Sequence, residues 1–366
     1  MEAGRLTTNG SFARMKPVQV GPGFSPGTRL DCSIPSLRTV LVTMLTTVVG
    51  DYPRIPNRPR PAKLRAALAR LDRGEITEAD LARVQDEVTL EVIDEQVRAG
   101  VDVVSDGHIR WEDEQTYVTR KLRGTSINGL VRYFDNNIYF RQPVVDGAIA
   151  WSEPVTVADY QFAAGHSPRP VKAVLTGPYT LARLSEDGFY ASLQECALAY
   201  AAALHQEALA LQEAGAPIIQ LNEPAILKHK EDWPVLRAAV EAVFDGISAE
   251  KAVYTFFGDL AGLYPQMLEL PCDILGLDFV SGPKNFDLLQ SARFTKKLGL
   301  GLVDARNTKL ESVESLVAGI RRAVESVSPE WIHLSPNCGL DFLPREIAEA
   351  KLTRMVEAAQ RAKEVL

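Results

Sequence analysis

The 366 residues are 46% hydrophobic and 24% charged, with 25 Gly, 22 Pro and 4 Cys, which excludes a disordered, collagenous or disulfide-stapled chain and suits one or two globular domains. Lys and Arg number 40 against 47 Asp and Glu, a net charge of −7, so the totals offer no basic field for nucleic acid or an anionic membrane. No apolar stretch reaches the ~20 residues of a membrane helix, and Cys32, Cys196, Cys272 and Cys338 stand too far apart for a zinc ribbon or disulfide framework, so a reducing cytoplasm is the expected compartment.

Residues 1–43 carry scattered Gly, Pro, Ser and Arg without a sustained period and are expected to form a disordered N-terminal extension. Met44 opens directly onto an apolar run, which makes it a candidate biological start. From there, short apolar runs alternate with segments of helical period, the pattern of repeated βα units around a parallel sheet. The runs cover 45–49, 101–105, 171–176, 217–221, 252–257, 274–279, 298–303 and 331–334. Between them, a helix over 79–99 places Leu81, Val84, Val88 and Val92 on one stripe, and another over 193–214 ends just before Gly215. Eight repeats over 44–366 predict a single α/β domain, a (β/α)8 TIM barrel, in preference to a doubly wound sheet. The stretch 111–170 interrupts the alternation after the second run. Its segment 133–140 reads as two aromatic strands turning at Asp135, Asn136 and Asn137, a β-hairpin over the barrel mouth.

In such barrels the chemistry sits at the C-terminal ends of the strands, and here those ends are polar. Arg54 follows the first run. Asp106, His108 and Arg110 follow the second and alternate with Gly107 and Ile109, so an extended segment turns all three toward one pocket; the alternative is an ion pair closing the rim. Tyr179 follows the third run. Asn222 and Glu223 end the fourth, where Glu223 could accept a proton, bind a cation, or pair with Arg54 or Arg110 for structure alone. Asp278 ends the sixth run, and Asp304 and Arg306 end the seventh, although strand-end Asp also caps the next turn. Ser335, Asn337 and Cys338 close the eighth, with Cys338 either a thiolate ligand or a buried inert thiol.

Taken together, these strand ends resemble cobalamin-independent methionine synthase and, more broadly, the barrel superfamily it shares with uroporphyrinogen decarboxylase. The resemblance runs from Thr46 to Leu366 on five motifs: the stretch from Thr46 through Asp51 to Arg54; Ser105-Asp106-Gly107 with Arg110; Thr176-Gly177-Pro178-Tyr179-Thr180; Gln220-Leu221-Asn222-Glu223-Pro224-Ala225; and Ser335-Pro336-Asn337-Cys338-Gly339-Leu340. It implies a single-barrel member that transfers a methyl group to a thiol such as homocysteine, with methyltetrahydrofolate as co-substrate and without cobalamin. A small thiol or carboxylate substrate, and a second methionine-synthase-like chain as partner, are implied with it.

The family's zinc ligands are a His-x-Cys after the fifth strand, an acid after the sixth and a Cys after the eighth. Phe256 and Gly258 stand at the first two positions, which leaves Asp278 and Cys338 as the metal candidates, with Glu223, His108 or water to complete a remodelled shell. His108 and Asn222 occupy the places of the two acids that hold the homocysteine ammonium, and Arg306 that of a His proposed for proton transfer. The catalytic set implied is therefore Asp106, His108, Asn222, Glu223, Asp304 and Arg306, with Arg54, Arg110, Tyr179, Ser335 and Asn337 on the substrate. Two other readings are open. One is a metal-free decarboxylase or lyase in which Arg54, Arg110 and Arg306 grip carboxylates and Asp106 or His108 moves a proton; the other is a non-catalytic folate-binding partner barrel.

Overall fold

A computed structural model describes residues 44–56 and 59–366; the extension expected over 1–43, and Cys32 with it, lies outside the described residues. The described strands are β1 (Leu45–Thr46), β2 (Arg123–Arg132), β3 (Tyr139–Ala150), β4 (Ala173–Thr176), β5 (Glu186–Asp187), β6 (Ile218–Asn222), β7 (Glu250–Tyr254), β8 (Ile274–Asp278), β9 (Lys297–Val303) and β10 (Ile332–Pro336). Seven of them form one parallel sheet in the order β1-β10-β9-β8-β7-β6-β4. The second apolar run makes no ladder of its own. It closes the sheet through two isolated bridges, Thr47 with Val103 on the β1 side and Val104 with Val171 on the β4 side. All eight runs thus lie in barrel order, and the (β/α)8 expectation holds.

The central strands read as continuous apolar runs because helices cover their outer face while the barrel interior covers the other. Inside, the Tyr254 ring lies over two glycines: a Cβ at Gly276 would fall 2.2 Å from its Cδ1, and one at Gly299 would fall 2.7 Å from its Oη. The helix Glu78–Arg98 starts at a capping box between Thr77 and Asp80 and buries Leu81, Val88 and Val92. The helix Leu193–Glu213 is capped by Ser192 and ends before Gly215, whose φ of 90° suits only glycine. Among the described residues no helix is long and apolar enough to cross a membrane.

The insertion is a longer hairpin than the aromatic segment alone suggested. β2 and β3 pair antiparallel, β5 adds to β3 in parallel, and the turn spans residues 133–138, which contains the expected Asp135–Asn137 but takes Tyr133 and Phe134 out of the strand. Its return to the barrel is held by Glu207, 1% exposed on the helix Leu193–Glu213. That carboxylate accepts hydrogen bonds from Trp151 Nε1 (2.8 Å), Val155 N (2.8 Å), Thr156 N (2.6 Å) and Thr156 Oγ1 (2.8 Å).

β10 carries His333, 3% exposed. Burial, reinforced by the charges of Lys297 and Lys172, depresses its pKa from 6.5 to about 4. Between those values the unfolded chain binds a proton that the native ring refuses, so the associated stability is present above pH 6.5 and lost as the pH falls toward 4. The loss is expected to total about 3 kcal/mol, and urea midpoints at pH 7 and pH 4.5 should differ more for wild type than for His333→Gln.

Candidate active site

The C-terminal ends of the barrel strands open into a cleft of about 510 Å³, mouth included, walled by Asp51, Arg54, Glu114, Tyr133, Phe257 and Asp341 among others. Asp51 lies in the loop after β1, and His108 and Glu114 lie in the loop after the second apolar run. The chain turns sharply there, with φ of 71° at Gly107 and 51° at His108. A Cβ at Gly107 would meet Val92 Cγ1 at 2.8 Å and Tyr52 Cβ at 2.9 Å, so only glycine fits. The turn delivers the His108 ring onto Trp111, stacked at 3.8 Å and 4°, with Nδ1 3.1 Å from Asp51 Oδ1.

Glu114 is fixed from two sides. Tyr133 Oη, brought over the mouth by the hairpin, donates to its Oε2 at 3.1 Å, and Asn222 Nδ2 donates to its Oε1 at 2.9 Å. Asn222 is itself held by Gln220 Nε2 (2.7 Å), and Lys172 Nζ donates to Gln220 Oε1 (2.7 Å), so a buried chain of hydrogen bonds runs from the barrel interior to the cleft. Thr176 Oγ1 donates to the Glu114 carbonyl at 2.6 Å.

The electrostatics follow from crowding three carboxylates into one desolvated place. Burial opposes ionisation of Asp51, but His108 outweighs it by charge and hydrogen bond and holds the Asp51 carboxyl below its usual range. Burial and then the Asp51 charge push Glu114 well above its usual value, and the same two causes raise Asp341. Burial alone would depress His108; Asp51, with Asp106 and Glu114, instead lifts it to about 9. Burial lowers Lys172 to about 7.

Of the residues singled out from the sequence, Arg54 lines this cleft, His108 and Asn222 stand behind its wall on Asp51 and Glu114, and Arg306 reaches its rim, with its guanidinium 5.3 Å from the Phe257 ring centroid and 6.0 Å from that of Phe342. The expected convergence of Asp106, His108 and Arg110 does not occur, because the left-handed turn breaks the alternation. Asp106 Oδ1 accepts from His108 N (3.2 Å). The Arg110 guanidinium pairs with Asp86 and, at 3.3 Å, with Asp159, and its Cζ lies 5.0 Å from the Phe162 ring centroid.

Glu223 pairs with neither Arg54 nor Arg110. It is fully buried and accepts from Tyr179 N (3.0 Å), Thr180 N (2.8 Å) and Thr180 Oγ1 (2.6 Å), pinning the start of the helix Pro178–Leu184; burial raises it to about 7 against those bonds. Tyr179 Oη donates to Asp232 (2.7 Å), away from the cleft. Asp304 accepts from Arg306 N (2.9 Å) and lines a separate surface groove, and the Ser335 hydroxyl bonds to the Pro336 carbonyl inside β10. Asn337 Nδ2 donates to both Asp278 oxygens at 3.2 Å, while its Oδ1 accepts from Ala305 N (2.9 Å).

The family's zinc does not fit the residues that stand at its ligand positions. Asp278 spends its lone pairs on Phe257 N, Val280 N and Ser281 N (2.8–3.0 Å) as well as Asn337. Cys338 is buried, its thiol pushed well above its usual pKa by burial and then by the Asp278 charge, so it stays protonated. With Phe256 and Gly258 contributing no donor side chain, two occupied or protonated groups do not make a zinc shell. Sequence reasoning missed Glu114, Asp341 and the role of Asp51. The signal for Glu114 was its place in the loop that carries His108.

Residues 44–361 match the family model described as cobalamin-independent synthase, catalytic domain. The chain is 34% identical over 325 residues to a methionine synthase of Saccharolobus solfataricus, covering 88% of this chain and 95% of that relative. It is 32% identical to one of Sulfurisphaera tokodaii, covering 88% and 93%. In fold it is similar to a B12-independent methionine synthase from a Shewanella species, solved with selenomethionine, at a TM-score of 0.76 and 23% identity over 88% of this chain and 99% of that one.

Proposed function

The chain belongs to the cobalamin-independent methionine synthase family, and from that premise we propose that it transfers a methyl group from a methyl-folate to the sulfur of homocysteine in the cleft between Asp51, Arg54, Glu114 and Asp341. The observation that carries this reading is the family match over 44–361, which spans every loop that reaches the cleft and supports reading 44–366 as one catalytic barrel.

In this assignment Arg54 takes the amino-acid carboxylate and Asp341 its ammonium. Arg54 spends one hydrogen bond on the Glu112 carbonyl (3.0 Å), which leaves donors for a ligand. Tyr133, Phe256, Phe257 and Phe342 pack as an aromatic wall that excludes water from the reacting sulfur. The sulfur lone pair forms the new S–CH3 bond as the donor's N–CH3 bond breaks, and the thiol proton is balanced by the one the leaving nitrogen gains. No step passes through the family's zinc, because its ligand positions do not hold it here. The described cysteines, Cys196, Cys272 and Cys338, are free and buried, in keeping with a reducing cytoplasm.

The test is direct. Purified protein incubated with homocysteine and methyl-labelled methyltetrahydrofolate is expected to yield labelled methionine. Folded protein that leaves the label on the folate would overturn the reading.

A further inference from the structure

We propose that Asp51, His108 and Glu114 form a divalent-cation site on the loops after the first two barrel strands, separate from the positions that hold zinc in the family. One ligand atom from each of the three residues lies within 4.8 Å of the others. Around an ion with ~2.1 Å ligand bonds, neighbouring ligands sit about 3.4 Å apart in a tetrahedral shell. The Asp51–His108 contact of 3.1 Å is already near that spacing, so small side-chain rotations bring all three groups onto one ion. With the His108 proton displaced by the ion, one imidazole nitrogen and two carboxylate oxygens suit a transition metal such as Zn2+, Co2+ or Mn2+ rather than a thiophilic one, and the cleft leaves further positions for water or substrate.

Two independent features point the same way. Glu114 already has the outer hydrogen bonds that orient a ligating carboxylate, from Tyr133 Oη and Asn222 Nδ2, and it shares a further hydrogen bond with Asp51 whose place an ion between the two carboxylates would take. Gln115, 2% exposed in the wall of the same cleft, has its Nε2 buried without a partner among the described residues. A metal-bound water or anion would supply the acceptor that this donor lacks. Asp51, Glu114 and Asp341 also crowd three carboxylates into one cleft, which a divalent ion would stabilise.

Asn222 is a positioning residue here: it acts through Glu114 and touches no ion. This inference does not depend on which methyl acceptor the protein uses, and its test reads metal, not turnover.

Full-length protein stripped with chelator is titrated with Zn2+, and separately with Mn2+, by calorimetry, with metal content checked by mass spectrometry. One equivalent of either ion is expected to bind. Glu114→Gln and His108→Gln should each weaken binding by about tenfold or more, Asn222→Ala by about tenfold, and Cys338→Ser should leave it unchanged. Circular dichroism shows whether each variant is folded, and if His108→Gln is not, Glu114→Gln and Asn222→Ala decide the question. The proposal falls if stripped protein binds neither ion, if binding survives in the folded Glu114 and Asn222 variants, or if it is lost with Cys338. Methyl transfer by a protein that binds neither ion would remove this site and keep the proposed reaction; a bound ion without methyl transfer would do the reverse.

Discussion

Glu114→Gln is expected to lower methyl transfer by about a hundredfold while the melting temperature moves little. Glutamine keeps the shape of the side chain, an acceptor for Asn222 Nδ2 and a group that Tyr133 Oη can bond, so the packing under the hairpin persists. What it removes is the ionisable group that shares the cleft with Asp51 and His108. Initial rates and thermal unfolding measured on one preparation separate the two effects. A fall in rate below about threefold would take Glu114 out of the chemistry.

Glu207→Ala should cost about 4 kcal/mol, among the largest losses any single exchange in this barrel would cause. Its carboxylate is the common acceptor for Trp151 Nε1, the amides of Val155 and Thr156, and the Thr156 hydroxyl. Truncation leaves those buried donors without a partner and opens a void beside the helix Leu193–Glu213. Urea unfolding should register the loss, with a melting temperature lower by roughly 5–10 °C. Glu207→Gln, which keeps an acceptor oxygen, should recover a part of it. If both variants unfold like wild type, the insertion is held by something other than this carboxylate.

The barrel could be read in advance because each parallel strand is buried on both faces and announces itself as an unbroken apolar run. Even the second run, which makes only bridges, kept that pattern in Val101, Val103 and Val104. The site was harder, because its geometry depends on partners distant in sequence. Arg110 looked aligned with His108 until positive φ at Gly107 and His108 turned the segment away from extension. Glu114 sits in a run of acids that reads as solvated; it is drawn partly out of solvent because Tyr133 folds over from the hairpin and Asn222 rises from β6, 108 residues away. Asp278 and Cys338 were correctly placed at strand ends, yet nothing local signalled that backbone amides and Asn337 would saturate the aspartate.

The two isolated bridges that close the barrel put its thinnest seam directly beneath Asp51 and His108. Where other strands have ladders, this join has a few backbone bonds, such as Val103 N to the Thr46 carbonyl (3.1 Å) and Val104 N to the Pro170 carbonyl (3.0 Å), and side chains supplement them: Thr46 Oγ1 to Asp102 (2.8 Å), Thr47 Oγ1 to the Val103 carbonyl (2.9 Å), Ser105 Oγ to the Gly50 carbonyl (2.6 Å), and Gln96 to both the amide and carbonyl of Ser105 (3.1 and 3.0 Å). Such rivets are specified by individual codons and not by the backbone, so mutational drift can retune the spacing of the two loops while the remaining staves stay put. A scaffold joined this way has one adjustable edge, and its reactive groups are mounted on it.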